Sequence, residues 1–219
     1  MTNEESKGRV SLELERFIPQ IGRCVEYTRK SLESMEEIKK STELTIEGKQ
    51  TRLSDARKRL DDKVKPLLEG MAEKLDEIYE IEADRTAKME LTDDFKTAVD
   101  IVSASKGKIG EKVRQELINK VKGEPLPQKV LSDVLEANGA EPFDTYKPDR
   151  EFAYLQRSIN RIIRDKESRL ITDYAVTEHL LNGILEELGS TDRSENTGFI
   201  PTNNDIRRST GQSLSLIHI

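Results

Sequence analysis

From residue 21 the apolar positions recur in alternating steps of four and three: Ile21, Val25, Thr28, Leu32, Met35, Lys39, Thr42, Ile46, Lys49, Leu53, Ala56, Leu60, Lys63 and Leu67. Nine of these fourteen are apolar and the phase does not slip, so the pattern predicts long helix with one apolar stripe. The rhythm then moves by one residue, to Val64, Leu68, Met71, Leu75 and Ile78. Such a stutter locally changes the supercoil. It falls beside Pro66, which lacks the N–H a helix interior needs and predicts a bend or break there; Pro19 predicts a second kink. Residues 11–90 thus read as one helical province.

Two arrangements bury such a stripe. In an extended parallel homodimer the stripe is the seam, but that register sets Arg52 against Arg57 of the partner helix, and Ile38 broadens the stripe beyond a two-helix seam. In an antiparallel hairpin, Gly48 of "TIEGKQT" stops a first helix, Thr51 caps a second, and the arms 11–47 and 51–89 match in length. Against the hairpin, the heptad phase runs straight through Gly48, which a turn does not require. Both stay open, with a lean to the hairpin.

After residue 91 the pattern changes. Thr92 reads as an N-cap followed by Asp93 and Asp94, and Phe95, Val99 and Val102 make a buried stripe that ends at Gly107 and Gly110. Short helices are expected over about 111–122 and 127–138, separated by "KGEPLPQ". Beyond the loop "EPFDTYKPD", Asp149 reads as the cap of a longer helix with Phe152, Leu155, Ile159, Ile162 and Ile163 inward. "YAVTEHLLNGILEELG" follows, with Leu180, Leu181, Ile184, Leu185 and Leu188 inward and Gly189 as the stop. Residues 190–213 show no period and read as a flexible tail or linker. The last six residues, LSLIHI, resemble the in-frame translation of a transposase sequencing adapter. Leu214–Ile219 are therefore set aside as an artefact, with the expectation that the chain is a truncated fragment. The resulting division is 1–91, a long coiled-coil-like region; 92–189, a small helical domain; 190–213, a tail; and 214–219, the adapter-like end.

Composition narrows the function. Charged residues make up 36% of the 219 and hydrophobic ones 34%, below an ordinary globular share of roughly 45–50%. Long, solvated helices fit this; one large core does not. The net charge of −6 is spread evenly, since residues 1–91 and 92–219 each carry 18 Lys and Arg against 21 Asp and Glu. That argues against nucleic-acid binding driven by bulk charge. No apolar run approaches a membrane span of about 18 residues, and "MTNEESKGRV" has no signal-peptide core. The expected location is the cytoplasm, or an export route that leaves no N-terminal mark.

Candidate chemistry is sparse. Cys24 is the single cysteine and reads as a buried, inert thiol. His179, apart from His218 in the adapter-like end, is the single histidine and reads as a packed or surface residue. "SKGKIGEK" lacks the spacing of a phosphate or dinucleotide loop. Carboxylates alternate with Lys and Arg at i+4, as on a solvated helix face. No catalytic, cofactor-binding or metal-ligating residue is identified. Two basic patches remain: six Lys and Arg against two acids over 106–122, and seven against four over 147–169, where Arg157, Arg161 and Arg164 fall at helical spacing.

The chain is therefore expected to be all-α: long coiled-coil-like helices, hairpin or extended, then a small helical domain and a flexible tail. It reads as a non-enzymatic structural or assembly protein, in the manner of microbial or phage scaffolding, with no cofactor. It would act through an association stripe of Val25, Leu32, Met35, Ile46, Leu53, Leu60, Leu67 and Leu75. The expected partner is itself or another helical protein, not a membrane. The alternative is a nucleic-acid-associated accessory protein that uses patches 106–122 and 147–169, with Arg157, Arg161 and Arg164 as contacts to anions; nucleic acid is the less favoured partner.

Overall fold

The computed structural model describes residues 2–105, 108–165 and 171–190. The adapter-like residues Leu214–Ile219 and nearly all of the expected tail lie outside them. The chain is all-helical. Helix α1 spans Asn3–Glu15 and α2 spans Phe17–Lys40, and together they run antiparallel to a single long helix α3, Ile46–Ala87. Thr2 opens α1 with a reciprocal cap: its hydroxyl accepts from the Glu5 N–H at 3.2 Å, and the Glu5 carboxylate accepts from the Thr2 N–H at 2.7 Å.

The hairpin turns at Ser41–Thr45, earlier than Gly48 suggests. Thr45 is the N-cap of α3, its hydroxyl accepting from the Gly48 N–H at 3.1 Å, so Gly48 sits inside the first turn. Thr51 does not cap; its hydroxyl donates back to the Glu47 carbonyl at 3.1 Å. The Lys49 ammonium reaches across and donates to the Lys39 carbonyl at 2.9 Å, placing a cation on the negative end of α2.

The kink expected of Pro19 is present, one turn upstream of it, whereas the break expected at Pro66 is not. The break between α1 and α2 lies at Arg16, not at Pro19. Pro19 is four residues beyond Glu15 and has no N–H to offer its carbonyl, so the ladder is cut one turn upstream and Pro19 sits in the first turn of α2, where it is tolerated. Pro66 does not break α3. It lies on the exposed face, and so does Asp62, whose carbonyl it fails to bond, so the helix leaves that group on its solvent side rather than in the core.

Five shorter helices follow among the described residues: α4 (Asp93–Ala104), α5 (Glu111–Lys120), α6 (Pro125–Ala137), α7 (Pro148–Arg164) and α8 (Ile171–Glu187). Thr92 caps α4 as its sequence implies, accepting from the Phe95 N–H at 3.2 Å. Helix α6 starts two residues before expectation because Pro125 suits a first helical position. Asp149 is not the cap of α7; it lies in the first turn and accepts from the Tyr79 hydroxyl at 2.8 Å.

Packing cuts across the division at residue 91. The main core joins Val10 and Leu14 of α1, Ile21 of α2, Leu68 and Leu75 of α3, Phe152 and Ile159 of α7, and Tyr174 and Leu181 of α8. Helices α4–α6 hold a separate small core around Val102, Val121, Leu131 and Leu135. The reason lies on α3. Its α1–α2 partner covers one side, while Ala72 and Tyr79 face another, and the strongly one-sided α7 closes over them. Phe152 meets Tyr79 at a ring separation of 5.6 Å, and Gln156 donates to the Ala72 carbonyl at 3.5 Å. Helix α8 is tied to α2 by a buried bond from the Thr28 hydroxyl to the Tyr174 hydroxyl, 3.2 Å.

Candidate association surface and polar hub

The hairpin outruns the bundle that supports it. The main core reaches Val25 on α2 and Leu60 on α3, with Leu32 packed at its edge. From Leu60 back to Ile46, about 20 Å of helix at 1.5 Å per residue, the hollows beside α3 are lined, among the described residues, by α2, the turn and α3 itself. Along this tip runs a groove in two adjoining hollows, of about 560 Å³ and 250 Å³, that share Ser34, Ala56 and Arg59. Ile38 and Leu44 line its outer part, and Tyr27 and Lys63 close its inner end. Small residues leave the floor open, and the wall carries Lys30, Arg52, Arg59 and Lys63 against Glu37 and Asp55. Arg52 and Arg59 make no ion pair among the described residues, and the Lys63 ammonium stands 5.2 Å from the centre of the Tyr27 ring.

The residues of the expected association stripe are divided by this geometry. Val25, Met35, Leu60 and Leu75 are buried within the chain, and Leu32, Leu53 and Leu67 are half-buried. Ile46, at 80% exposure, is the one left in solvent. Most of the stripe is thus taken up by packing within the chain.

At the opposite end of α3, six elements meet in a buried polar hub. Glu82 and Arg85 have fully buried side chains and pair through two bonds of 2.8 and 2.7 Å. The Arg85 guanidinium also donates to the Gly123 carbonyl at 2.6 Å, to Glu124 at 3.2 Å and to the Asn3 side-chain oxygen at 3.2 Å. Lys7 donates to the Lys122 carbonyl at 2.9 Å. Gln128 donates to Glu187 at 3.0 Å and accepts from the Tyr146 backbone N–H. Burial pulls Arg85 down, and the Glu82 carboxylate more than offsets it, leaving the guanidinium above its ordinary range. The Tyr146 hydroxyl is buried without a hydrogen-bond partner; burial, with Glu82 second, raises it far above the ordinary phenol value. Gly123 makes the convergence possible. Its φ of +75° is left-handed, and a Cβ there would stand 2.4 Å from the Glu187 carbonyl oxygen. Donors and acceptors in the hub point chiefly at one another, which makes it a clamp holding the α4–α6 unit to the bundle.

No family model, curated protein or solved structure matches this chain.

The remaining candidates are dispersed. Arg157, Arg161 and Arg164 lie on one exposed face of α7; Arg161 pairs with Asp173 at 3.3 Å, and Arg157 leans on the Tyr154 ring at 5.9 Å. In the other patch, Lys122 pairs with Glu186 at 3.6 Å and Arg114 with Glu111 at 3.2 Å; Lys106 lies outside the described residues. Cys24 is fully buried in the main core and His179 is exposed. Among the described residues no group of three His, Cys, Asp or Glu is placed to hold a metal ion, and no helix is long and apolar enough to cross a membrane. The hub was missed by sequence reasoning, although a signal existed. The four-three rhythm of Leu68, Met71, Leu75 and Ile78 lands next on Glu82 and Arg85, two charges in the buried phase.

Proposed function

We propose that this chain is a non-enzymatic structural or assembly protein that works by helix–helix association, with the hairpin tip as its association surface. The observation that carries this is the groove between α2 and α3. It is shaped by two helices with no third helix over it among the described residues, its wall carries small residues and more cations than carboxylates, and it lies on a hairpin anchored by the main core. Helix-in-groove recognition uses such a surface. The bundle and the hub then serve as the base that holds the hairpin out.

The test is photo-cross-linking of the full chain from position 38, with position 113 on α5 as the exposed control, followed by mapping of the peptide captured. Adducts should map to helical segments, of a second copy or of another chain, and should vanish in the Ala56→Glu variant, which fills the groove with a charge. Equal yields from positions 38 and 113 would remove the hairpin from its assigned role.

A further inference from the structure

Helix α3 is electrically polarised along its length. Residues 46–65 carry seven Lys and Arg against four Asp and Glu, a net +3; residues 66–87 carry two against seven, a net −5. The polarity is sharpest on the face turned away from the core. At helical spacing that face reads Arg52, Arg59 and Lys63, then Pro66 and Gly70, then Glu73, Glu77 and Asp84, and all eight are exposed. The buried residues Val64, Leu68, Leu75 and Ile78 lie on the opposite side of the same helix, so nothing in the fold requires this order of charges.

The order has a centre. Fold the face back on itself about Leu68, and each residue meets the one equally far on the other side. Arg52 then meets Asp84, Arg59 meets Glu77, Lys63 meets Glu73, and Pro66 meets Gly70. At the edge of the strip Asp62 meets Lys74, opposite in sign again, while Asp55 and Glu80 meet the uncharged Ile81 and Ala56. None of these seven pairings sets like charges together. One helix cannot make these contacts with itself, because its two halves point in opposite directions along one rod. Two copies related by a two-fold axis make every one of them twice.

We infer that the partner on this face is a second copy of the chain, with α3 packed antiparallel on α3 about an axis at the level of Leu68. This rests on the association reading above and names its partner and register. Gly70 and Pro66 stand at the crossing. A Cβ placed on Gly70 would have nothing within 4 Å, so the centre is open for a neighbouring helix to approach. Towards the tip, the acidic end of the partner's α3 lies along the groove wall formed by Arg52, Ala56 and Arg59. Arg52, Arg59 and Glu73 hold no ion pair within the chain among the described residues. Glu77 and Asp84 are held only by exposed bonds to Lys74 and Lys88 one turn away, which exchange readily in water. Charge pairs of this kind set orientation and exclude wrong registers more than they supply raw affinity. The same rule disfavours the parallel pairing that sets Arg52 against Arg57.

The test uses two full-length charge-reversal variants. One carries Arg52→Glu, Arg59→Glu and Lys63→Glu, which makes the face acidic throughout; the other carries Glu73→Lys, Glu77→Lys and Asp84→Lys, which makes it basic throughout. All six positions are exposed, and circular dichroism melts check that both variants stay folded. By sedimentation velocity at low salt the unaltered chain should be dimeric, and each variant alone should have its dissociation constant raised by roughly 100-fold or more, since like charges then meet along the contact. An equimolar mixture should restore the dimer, because acidic and basic faces now meet. Three results would overturn the inference: a monomeric unaltered chain, variants that dimerise as well as it does, or a mixture that stays monomeric. The association reading stands apart from these, since a monomer whose position-38 adducts map to another protein removes only the self-pairing.

Discussion

Replacing Arg85 by Met should be among the most damaging single changes available. The guanidinium is fully buried and makes five bonds: two to Glu82, and one each to the Gly123 carbonyl, Glu124 and Asn3. Its loss leaves the Glu82 carboxylate in the interior without compensation. Breaking a buried pair from one side costs about 3–5 kcal/mol. Against a total stability of about 5–15 kcal/mol for a domain, that is a large share. The double variant Glu82→Met with Arg85→Met removes both charges and leaves mainly the Gly123 carbonyl unsatisfied, at about 1–3 kcal/mol. The double variant should therefore be more stable than Arg85→Met alone, by about 2 kcal/mol. Urea unfolding followed by circular dichroism measures all three chains, and hydrogen exchange should show the amides of α6 opening first in Arg85→Met. An Arg85→Met chain within about 0.5 kcal/mol of the original, or a double variant weaker than the single, would refute the clamp.

Other expectations test separate parts of the fold. Tyr146→Phe removes a buried hydroxyl that has no partner, and should leave thermal stability equal or raise it by up to about 1 kcal/mol in a calorimetric scan. The same hydroxyl gives an alkaline limit. Its folded value is raised above the ordinary 10.0, so its contribution is complete below about pH 10 and falls above it as the unfolded chain alone ionises; Tyr146→Phe should flatten that decline in a pH series of melts. Gly123→Ala combines a left-handed φ with a Cβ against the Glu187 carbonyl, and should lower stability by more than about 1 kcal/mol in urea titration. Thr45→Ala should remove about 1 kcal/mol of helix cap and Thr51→Ala much less, the reverse of what a turn at Gly48 requires. Duplex DNA titrated at about 150 mM salt should bind no tighter than about 10⁻⁶ M, and Arg157→Ala with Arg161→Ala should change that little.

The helical class and most helix ends were legible because they rest on local rules. The four-three rhythm, the Thr92 cap and the glycine stop at Gly189, with φ of +77°, all act within one or two turns. The turn of the hairpin was misplaced because Gly48 and Thr51 resemble punctuation, while the true signal, Thr45 three residues before Gly48, is quieter and is settled by tertiary fit. The assignment of α7 and α8 to the main core was not legible. Periodicity tells which face of α7 is buried but not what buries it, and proximity along the chain favoured α4–α6. The hub was half legible, since Glu82 and Arg85 keep the phase of the core, but the meeting of Asn3, Gly123, Glu124 and Tyr146 around them depends on three other segments. The groove could not be read at all, because the absence of a third helix over it among the described residues leaves no mark in the sequence of the two that line it.

The main core is discontinuous in sequence: α1–α3 begin it, α4–α6 interrupt it, and α7–α8 finish it. During synthesis the hairpin therefore emerges with the side of α3 that holds Ala72 and Tyr79 still bare, and the ribosome must make another hundred residues, to Leu188, before the last helix can cover the core. At about 5–20 residues per second this leaves the apolar side uncovered for roughly 5–20 s. The interval is long compared with helix formation, so the nascent hairpin waits as a folded but unfinished object. The α4–α6 unit, which closes a core of its own, can fold within that wait and present Gly123 and Glu124 to Arg85 before α7 arrives.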